Sequence, residues 1–200
     1  MKNFRLALAM GLFAFPAALV AQVPWDAPLM VGPSTPPGWG VFLSDPSEGS
    51  GIGVFTTWRP GDTFGFRIGL AEDFSDDLAV FGGMDASGEL LRVTEDFPLD
   101  VSWVAGAGFG IGDFTVLSFP FGASIGRELF ADNVRFTPYV TPRVILDAYL
   151  GDDRPRDALD LEFAFDLGFD VAFESGWTIR FGGSVGDREA LAIGINFRVF

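Results

Sequence analysis

The chain contains no cysteine and no histidine, and its one lysine is Lys2. Without cysteine there are no disulfides, no zinc–thiolate centres and no thiol nucleophile. Without histidine, Ser-His and Asp-His arrangements cannot be assembled. Positive charge is scarce, with 13 Lys and Arg against 27 Asp and Glu and a formal net charge of −14. Binding nucleic acid requires neutralising phosphates, so a chain this acidic is not expected to have a nucleic-acid partner. Beyond the first residues there is no apolar run of the roughly 18 residues that a membrane-crossing helix requires. No catalytic residue, metal ligand or cofactor is assigned from sequence.

What is abundant is phenylalanine (23) and glycine (26) in 200 residues, alongside 5 Trp and 2 Tyr. Lys2 and Arg5 precede an apolar stretch, Leu6 to Val20, and small residues surround Ala21. This is the pattern of a cleaved secretory signal, residues 1–21, with cleavage expected after Ala21. Removing it takes away both of its basic residues and no acid. The remainder carries 11 arginines, 27 acids and a formal charge of −16. Residues 22–37 hold Pro24, Pro28, Pro33, Pro36 and Pro37, and read as an irregular lead-in. Residues 38–200 read as one domain.

That domain is dominated by period-two alternation, which is the signature of a strand. The longest case runs from Leu159 to Glu174. Leu159, Leu161, Phe163, Phe165, Leu167, Phe169, Val171 and Phe173 share one face. Asp160, Glu162, Asp166, Asp170 and Glu174 stand on the other with Ala and Gly. Sixteen residues at about 3.3 Å each reach roughly 50 Å, well beyond an ordinary globular strand. Counting similar segments gives about ten strands. Eight result if the pair Trp39–Ser44 and Gly51–Arg59 stays outside the wall. Tight turns are expected at Pro60-Gly61-Asp62, Glu174-Ser175-Gly176 and Gly186-Asp187. The fourth strand is expected to span Leu78–Asp85, with Glu89–Val93 a short strand or part of a long connection. In Asp113–Gly126 the apolar phase changes between Val116 and Leu117, and a bulge is expected there. Phe130–Asn133 reads as a turn. Pro138 and Pro142 argue against full pairing of Val134–Leu150.

The expected fold is all-β: an antiparallel up-and-down transmembrane β-barrel, with Phe and Leu facing lipid and acids facing the lumen. An interior carboxylate needs a partner or water. The expected lumen charge network is Asp160, Glu162, Asp166, Asp170 and Glu174 with Arg67, Arg135, Arg143, Arg180 and Arg198. It is read as a salt-bridged structural plug, with a narrow cation-biased path as the functional alternative. Lumen-facing carboxylates such as Asp160 and Glu162 sit about 6–7 Å apart on any strand, so the spacing does not single out a glycosidase pair. Asp76-Asp77, Asp152-Asp153 and Asp157 read as solvated loops rather than calcium ligands, since no loop has calcium-loop spacing. Trp58 and Trp177 lie at strand ends beside polar turns, where aromatic rings of a membrane interface sit.

With its signal-like start, its amphipathic strands from Trp39 onward and its ending A-I-G-I-N-F-R-V-F, the chain resembles small bacterial outer-membrane β-barrel proteins. The resemblance implies an outer-membrane location, membrane lipids as surroundings and a C-terminal aromatic read by the barrel-assembly machinery. Phe200 or Phe197 is the candidate for that signal. Leu191, Ile193, Ile195, Phe197 and Val199 form the apolar series, which leaves Phe200 one register off it. The expected role is structural, envelope-interacting or narrow-pore, non-catalytic, in a monomer. The other reading is a soluble secreted or periplasmic β-barrel whose Phe rows turn inward around a small apolar ligand.

Overall fold

The computed structural model describes residues 25–45, 51–72, 78–112, 115–151 and 158–198. The signal-like residues 1–21, the acid-rich positions 76–77, 152–153 and 157, and Phe200 lie outside them. Among the described residues eleven strands form one sheet: β1 (Gly38–Asp45), β2 (Gly53–Arg59), β3 (Phe64–Glu72), β4 (Leu78–Leu91), β5 (Asp100–Ile111), β6 (Thr115–Gly126), β7 (Leu129–Ala131), β8 (Val134–Leu150), β9 (Leu159–Phe173), β10 (Trp177–Gly186) and β11 (Ala190–Phe197). Successive strands other than β6 and β7 pair antiparallel, β1 pairs with β11, and β6 pairs with β8, so the sheet closes on itself. The wall therefore has ten strands, and the pair β1–β2 belongs to it. Eight is excluded.

The eleventh element is explained by a proline. β7 pairs with β8 in the same register that β6 uses, so β6 and β7 are two pieces of one wall strand. The break at Arg127–Glu128 lies opposite Pro138, which has no N–H to give. Only the reverse bond survives there, from Arg127 N–H to the Pro138 carbonyl at 3.3 Å. Strand parity turns Pro142 toward the same neighbour, and pairing between β6 and β8 lapses beside it, between Gly122↔Arg143 and Ile125↔Val140. On its β9 side β8 is paired without interruption from Val134 to Ala148. The two prolines thus cost local bonds on one edge, as expected from sequence, and leave the strand in the wall.

Three expectations are corrected. No bulge falls in β6: its inner and outer faces alternate throughout, and its register with β5 is the same before and after the gap opposite Pro120. The apparent phase change comes from Val116, an apolar residue that points inward and is fully buried. The irregularity sits instead in β4, where register shifts between Glu89 and Leu91. β4 runs to Leu91, six residues past its expected end, and absorbs most of the proposed short strand. The tight turn after β7 is Asp132-Asn133, with Asp132 left-handed at φ 50°, a conformation that Asp tolerates better than most residues.

The wall separates two environments. Along β9 the odd-numbered residues face out, with Leu161 at 56% and Phe165 at 51% exposure, while Glu162, Ala164, Asp166 and Asp170 are buried. The same outward apolar series continues around β1, β3, β10 and β11. The Phe rows therefore point away from the interior, which removes the basis for an apolar ligand held among them. One end of the outer surface is aromatic. Trp177, Phe197, Trp39, Trp58 and Phe66 are consecutive cross-strand neighbours from β10 to β3. Trp58 stacks on Trp39 at 5.7 Å and on Phe66 at 5.5 Å, and Trp177 stacks on Phe173 at 4.3 Å. This end carries the turns at 60–63 and 174–176 and the entry of the chain into β1.

Candidate functional site: a lumen filled by the amino-terminal segment

The interior is built from the inward positions of the strands and from a segment that belongs to none of them. Trp25 to Val31 enter from the aromatic end and lie inside the barrel, with Trp25 and Asp26 at 0% exposure. The part of the lumen nearest β1, β2 and β4 is apolar. Phe42 stacks on Phe55 at 4.8 Å, and Phe55 meets Phe81 edge-on at 6.1 Å. These three rings, Leu29, Met30 and Val31 belong to one buried cluster with Trp25. The indole of Trp25 lies over Gly83, Gly106 and Gly108, at each of which a Cβ would fall under 3.0 Å from the ring. Its Nε1–H donates to the Ser118 carbonyl at 3.2 Å.

The other side of the lumen, from β8 to β10, is ionic. Arg143 donates through Nε and Nη2 to Asp166, at 2.8 and 3.1 Å, and pairs through Nη1 with the Asp26 carboxylate. Its Nη2 also reaches the Asp26 carbonyl at 3.0 Å. Ser184 Oγ donates to Asp166. Arg180 donates to Asp170 at 3.0 Å and to the Met30 carbonyl at 2.7 Å. Arg188, from the β10–β11 connection, reaches Asp147 at 2.6 Å and Glu162 at 3.3 Å, with Asp26 at 4.0 Å. Nearer the entry, Arg59 pairs with Asp85. Arg67 has a different set of partners: it donates to the carbonyls of Trp25, Pro28 and Leu29 at 2.8, 2.8 and 2.7 Å. Its guanidinium also lies 4.3 Å from the centre of the Phe55 ring.

Two charged groups of this network are carried by no strand. Burial pushes the Asp26 carboxyl upward, but Arg143 and Arg188 outweigh it and hold it below the usual carboxylate range. Burial lowers the Arg188 guanidinium, and the carboxylates of Asp26, Asp147 and Glu162 raise it further still. Both therefore stay charged, which a buried ion does only when paired.

The structure brings together part of the set expected from sequence. Glu162, Asp166 and Asp170 of β9 meet Arg188, Arg143 and Arg180, and Arg67 faces the inserted segment. Asp160 is half-buried, and its Oδ1 accepts the Leu161 N–H at 2.9 Å. Three residues expected in the lumen lie at its mouth instead. Glu174 is exposed in the β9–β10 turn, Arg198 is exposed past the end of β11, and Arg135 pairs with Glu128 at 3.4 Å. These three line a cavity of about 580 Å³ with Pro33–Pro37 on one side. Asp26, Arg59, Asp85, Asp147 and Arg188 are members that the sequence reading does not include. Asp26 and Arg143 are 117 residues apart, and no local pattern links them.

The Trp25 cradle gives a direct test of this packing. Gly83→Val places a side chain whose Cβ meets the indole first, under 3.0 Å away, and is expected to cost about 1–3 kcal/mol by overpacking. In a Trp25→Ala background that penalty is expected to vanish, so a double-mutant cycle read by urea unfolding should show strong coupling. Additive effects would mean that the indole is not in the cradle.

No protein-family model matches the chain, and no curated protein matches it. Among the described residues there is no group of three or more His, Cys, Asp or Glu side chains placed to hold a metal ion. Solved structures with a similar fold include a bacterial polysaccharide outer membrane secretin (TM-score 0.41, 8% identity), for which the match covers 75% of this chain and 56% of the other. A KdgM porin matches with TM-score 0.36 and 9% identity over 82% of this chain and 99% of the other. The chain thus spans little more than half the length of the secretin.

Proposed function

We propose that the protein is a monomeric transmembrane barrel of the bacterial outer membrane, closed by its own amino-terminal segment and serving a structural or envelope-interaction role without catalysis. The observation that carries this reading is the sidedness of the wall. A continuous outward band of Leu, Ile, Val and Phe surrounds an interior of buried ion pairs. In water such a band would be a very large apolar patch, whereas in lipid it is the required surface. Membrane lipids are then the main partner. The stacked aromatics at one end fit the headgroup level, with that end periplasmic. Phe197 occupies the outer face at the end of β11, which supports it, with Phe200 close behind, as the signal read by the assembly machinery. Residues 1–21 act as the export signal, 22–37 as the closing segment and 38–200 as the barrel.

The filled lumen favours a sealed barrel over a narrow path, since the charges that would attract cations are paired across it. The test joins envelope fractionation with a boiled-versus-unboiled gel and a planar-bilayer recording of the purified protein. The expected results are outer-membrane location, a heat-dependent mobility shift and no steady conductance. A protein recovered soluble without detergent contradicts the membrane reading, and stable open channels contradict the seal.

A further inference from the structure

Trp25–Val31 is enclosed by a wall that it does not help to build. Among the described residues it pairs with no strand. It is held instead by side chains of the wall that reach its main chain. Arg67 takes the carbonyls of Trp25, Pro28 and Leu29, Arg180 that of Met30, and Thr141 Oγ1 that of Val31 at 3.4 Å. The Asp166 carboxylate accepts the Leu29 N–H at 3.4 Å. Two side chains add selectivity: Trp25 in the glycine cradle and Asp26 on Arg143. Main-chain contacts for affinity and side-chain pockets for specificity are how a receptor holds a peptide.

Arg67 is the most telling residue. It is a buried cation whose hydrogen bonds go to three carbonyls of the segment. Each of those carbonyls is a main-chain atom, and the turn and bend over 25–28 accompany their convergence on one guanidinium, so the wall reads a turned peptide backbone.

We infer that the lumen is a peptide-binding site, and that Trp25–Val31 is its resident ligand, tethered through residues 32–37. The ligand class is a turned peptide with a Trp-Asp pair followed by apolar residues, as the turn and bend over 25–28 and the left-handed Met30 at φ 57° show for the resident segment. The tether gives the resident segment a high effective concentration, so a free peptide enters only when that advantage is removed. This inference goes beyond the envelope reading and does not depend on it, since the same contacts form whether lipid or detergent covers the outer face.

The test keeps the full chain. A protease site is inserted between Pro37 and Gly38, the protein is folded in detergent, and the site is then cut. A fluorescein-labelled synthetic peptide with the sequence of residues 22–37 is added and followed by anisotropy, with the heat-dependent gel shift reporting the wall. The expected result is saturable one-to-one uptake that unlabelled peptide competes away, while the barrel stays folded. Peptides carrying Trp25→Ala or Asp26→Asn are expected to bind roughly tenfold or more weakly. Arg67→Gln in the barrel is expected to speed release of the cut segment, and the peptide variants keep the test decisive if that barrel does not fold. The inference is overturned if the barrel unfolds as the segment leaves, if the cut segment never exchanges, or if a scrambled peptide is taken up equally well. None of these outcomes bears on where the protein resides.

Discussion

Arg143→Met is expected to destabilise the barrel by about 3–5 kcal/mol, because it leaves buried carboxylates without their counter-charge. Arg143 joins three parts of the molecule: β8 that carries it, Asp166 of β9 and Asp26 of the inserted segment. Neither acid has water to turn to, with Asp26 at 0% and Asp166 at 1% exposure. Removing the cation alone is therefore far worse than removing the whole group. The triple variant Arg143→Met, Asp26→Asn, Asp166→Asn should recover most of the loss, since it deletes the charges together. Urea unfolding of protein refolded into phosphatidylcholine vesicles, followed by tryptophan fluorescence, measures both. If Arg143→Met alone unfolds at the wild-type midpoint, the network is not a structural element of the barrel.

Phe165→Arg is the counterpart on the outer face. Phe165 lies near the middle of β9, opposite Pro142 on one neighbour and Val185 on the other, and is 51% exposed. In a bilayer an outward arginine near mid-depth costs about 2–4 kcal/mol. On a water-facing surface an isolated substitution is usually within about 0.5 kcal/mol. The expected result is a large loss of stability in vesicles and poor recovery in the outer-membrane fraction. Unchanged stability would place Phe165 in water and leave the apolar band without a membrane role.

Much of the wall was legible because amphipathic strands write their two faces into alternate residues. β9 is the clearest case, with Phe or Leu at nearly every outward position and acids at most inward ones. β3, β10 and β11 follow the same rule with small or polar residues and Arg inside. Legibility failed where the inner face is itself apolar. Val41-Phe42-Leu43 and Val54-Phe55 have no contrast between faces, so the inward Phe42 and Phe55 and the core beneath them could not be told from outward residues. Val116 produced an apparent change of phase for the same reason. β4 faded from view after Asp85 because Ala86, Ser87 and Gly88 give little contrast of either kind.

The candidate site was legible only by half. Arg67 stands on a strand, as do Arg143 and Arg180 and their β9 partners, so their side followed from parity. Glu174 and Arg198 have inward parity too, but their strands have ended by then, and parity has no meaning in a turn. Arg188 sits in a short connection, and Arg59 at the last position of β2, where the sequence gives no cue to a partner at Asp85. The inserted segment reads as a proline-rich lead-in, which says that it is irregular but not where it lies. Its place is set by contacts 38 to 150 residues away, and no local pattern encodes those.

The central claim is that β9 has one face in lipid and one in a sealed interior, and the chain's lack of cysteine makes it directly measurable. Single cysteines at successive positions from Leu159 to Phe173 can each carry a nitroxide label in protein refolded into vesicles. Spin relaxation by oxygen, which concentrates in lipid, and by a water-soluble nickel chelate then reports the surroundings of each site. Strong oxygen relaxation is expected at odd-numbered positions and little relaxation by either agent at Glu162, Ala164, Asp166 and Asp170. Nickel relaxation at Phe163, Phe165 and Leu167, or loss of the two-residue period, would contradict it.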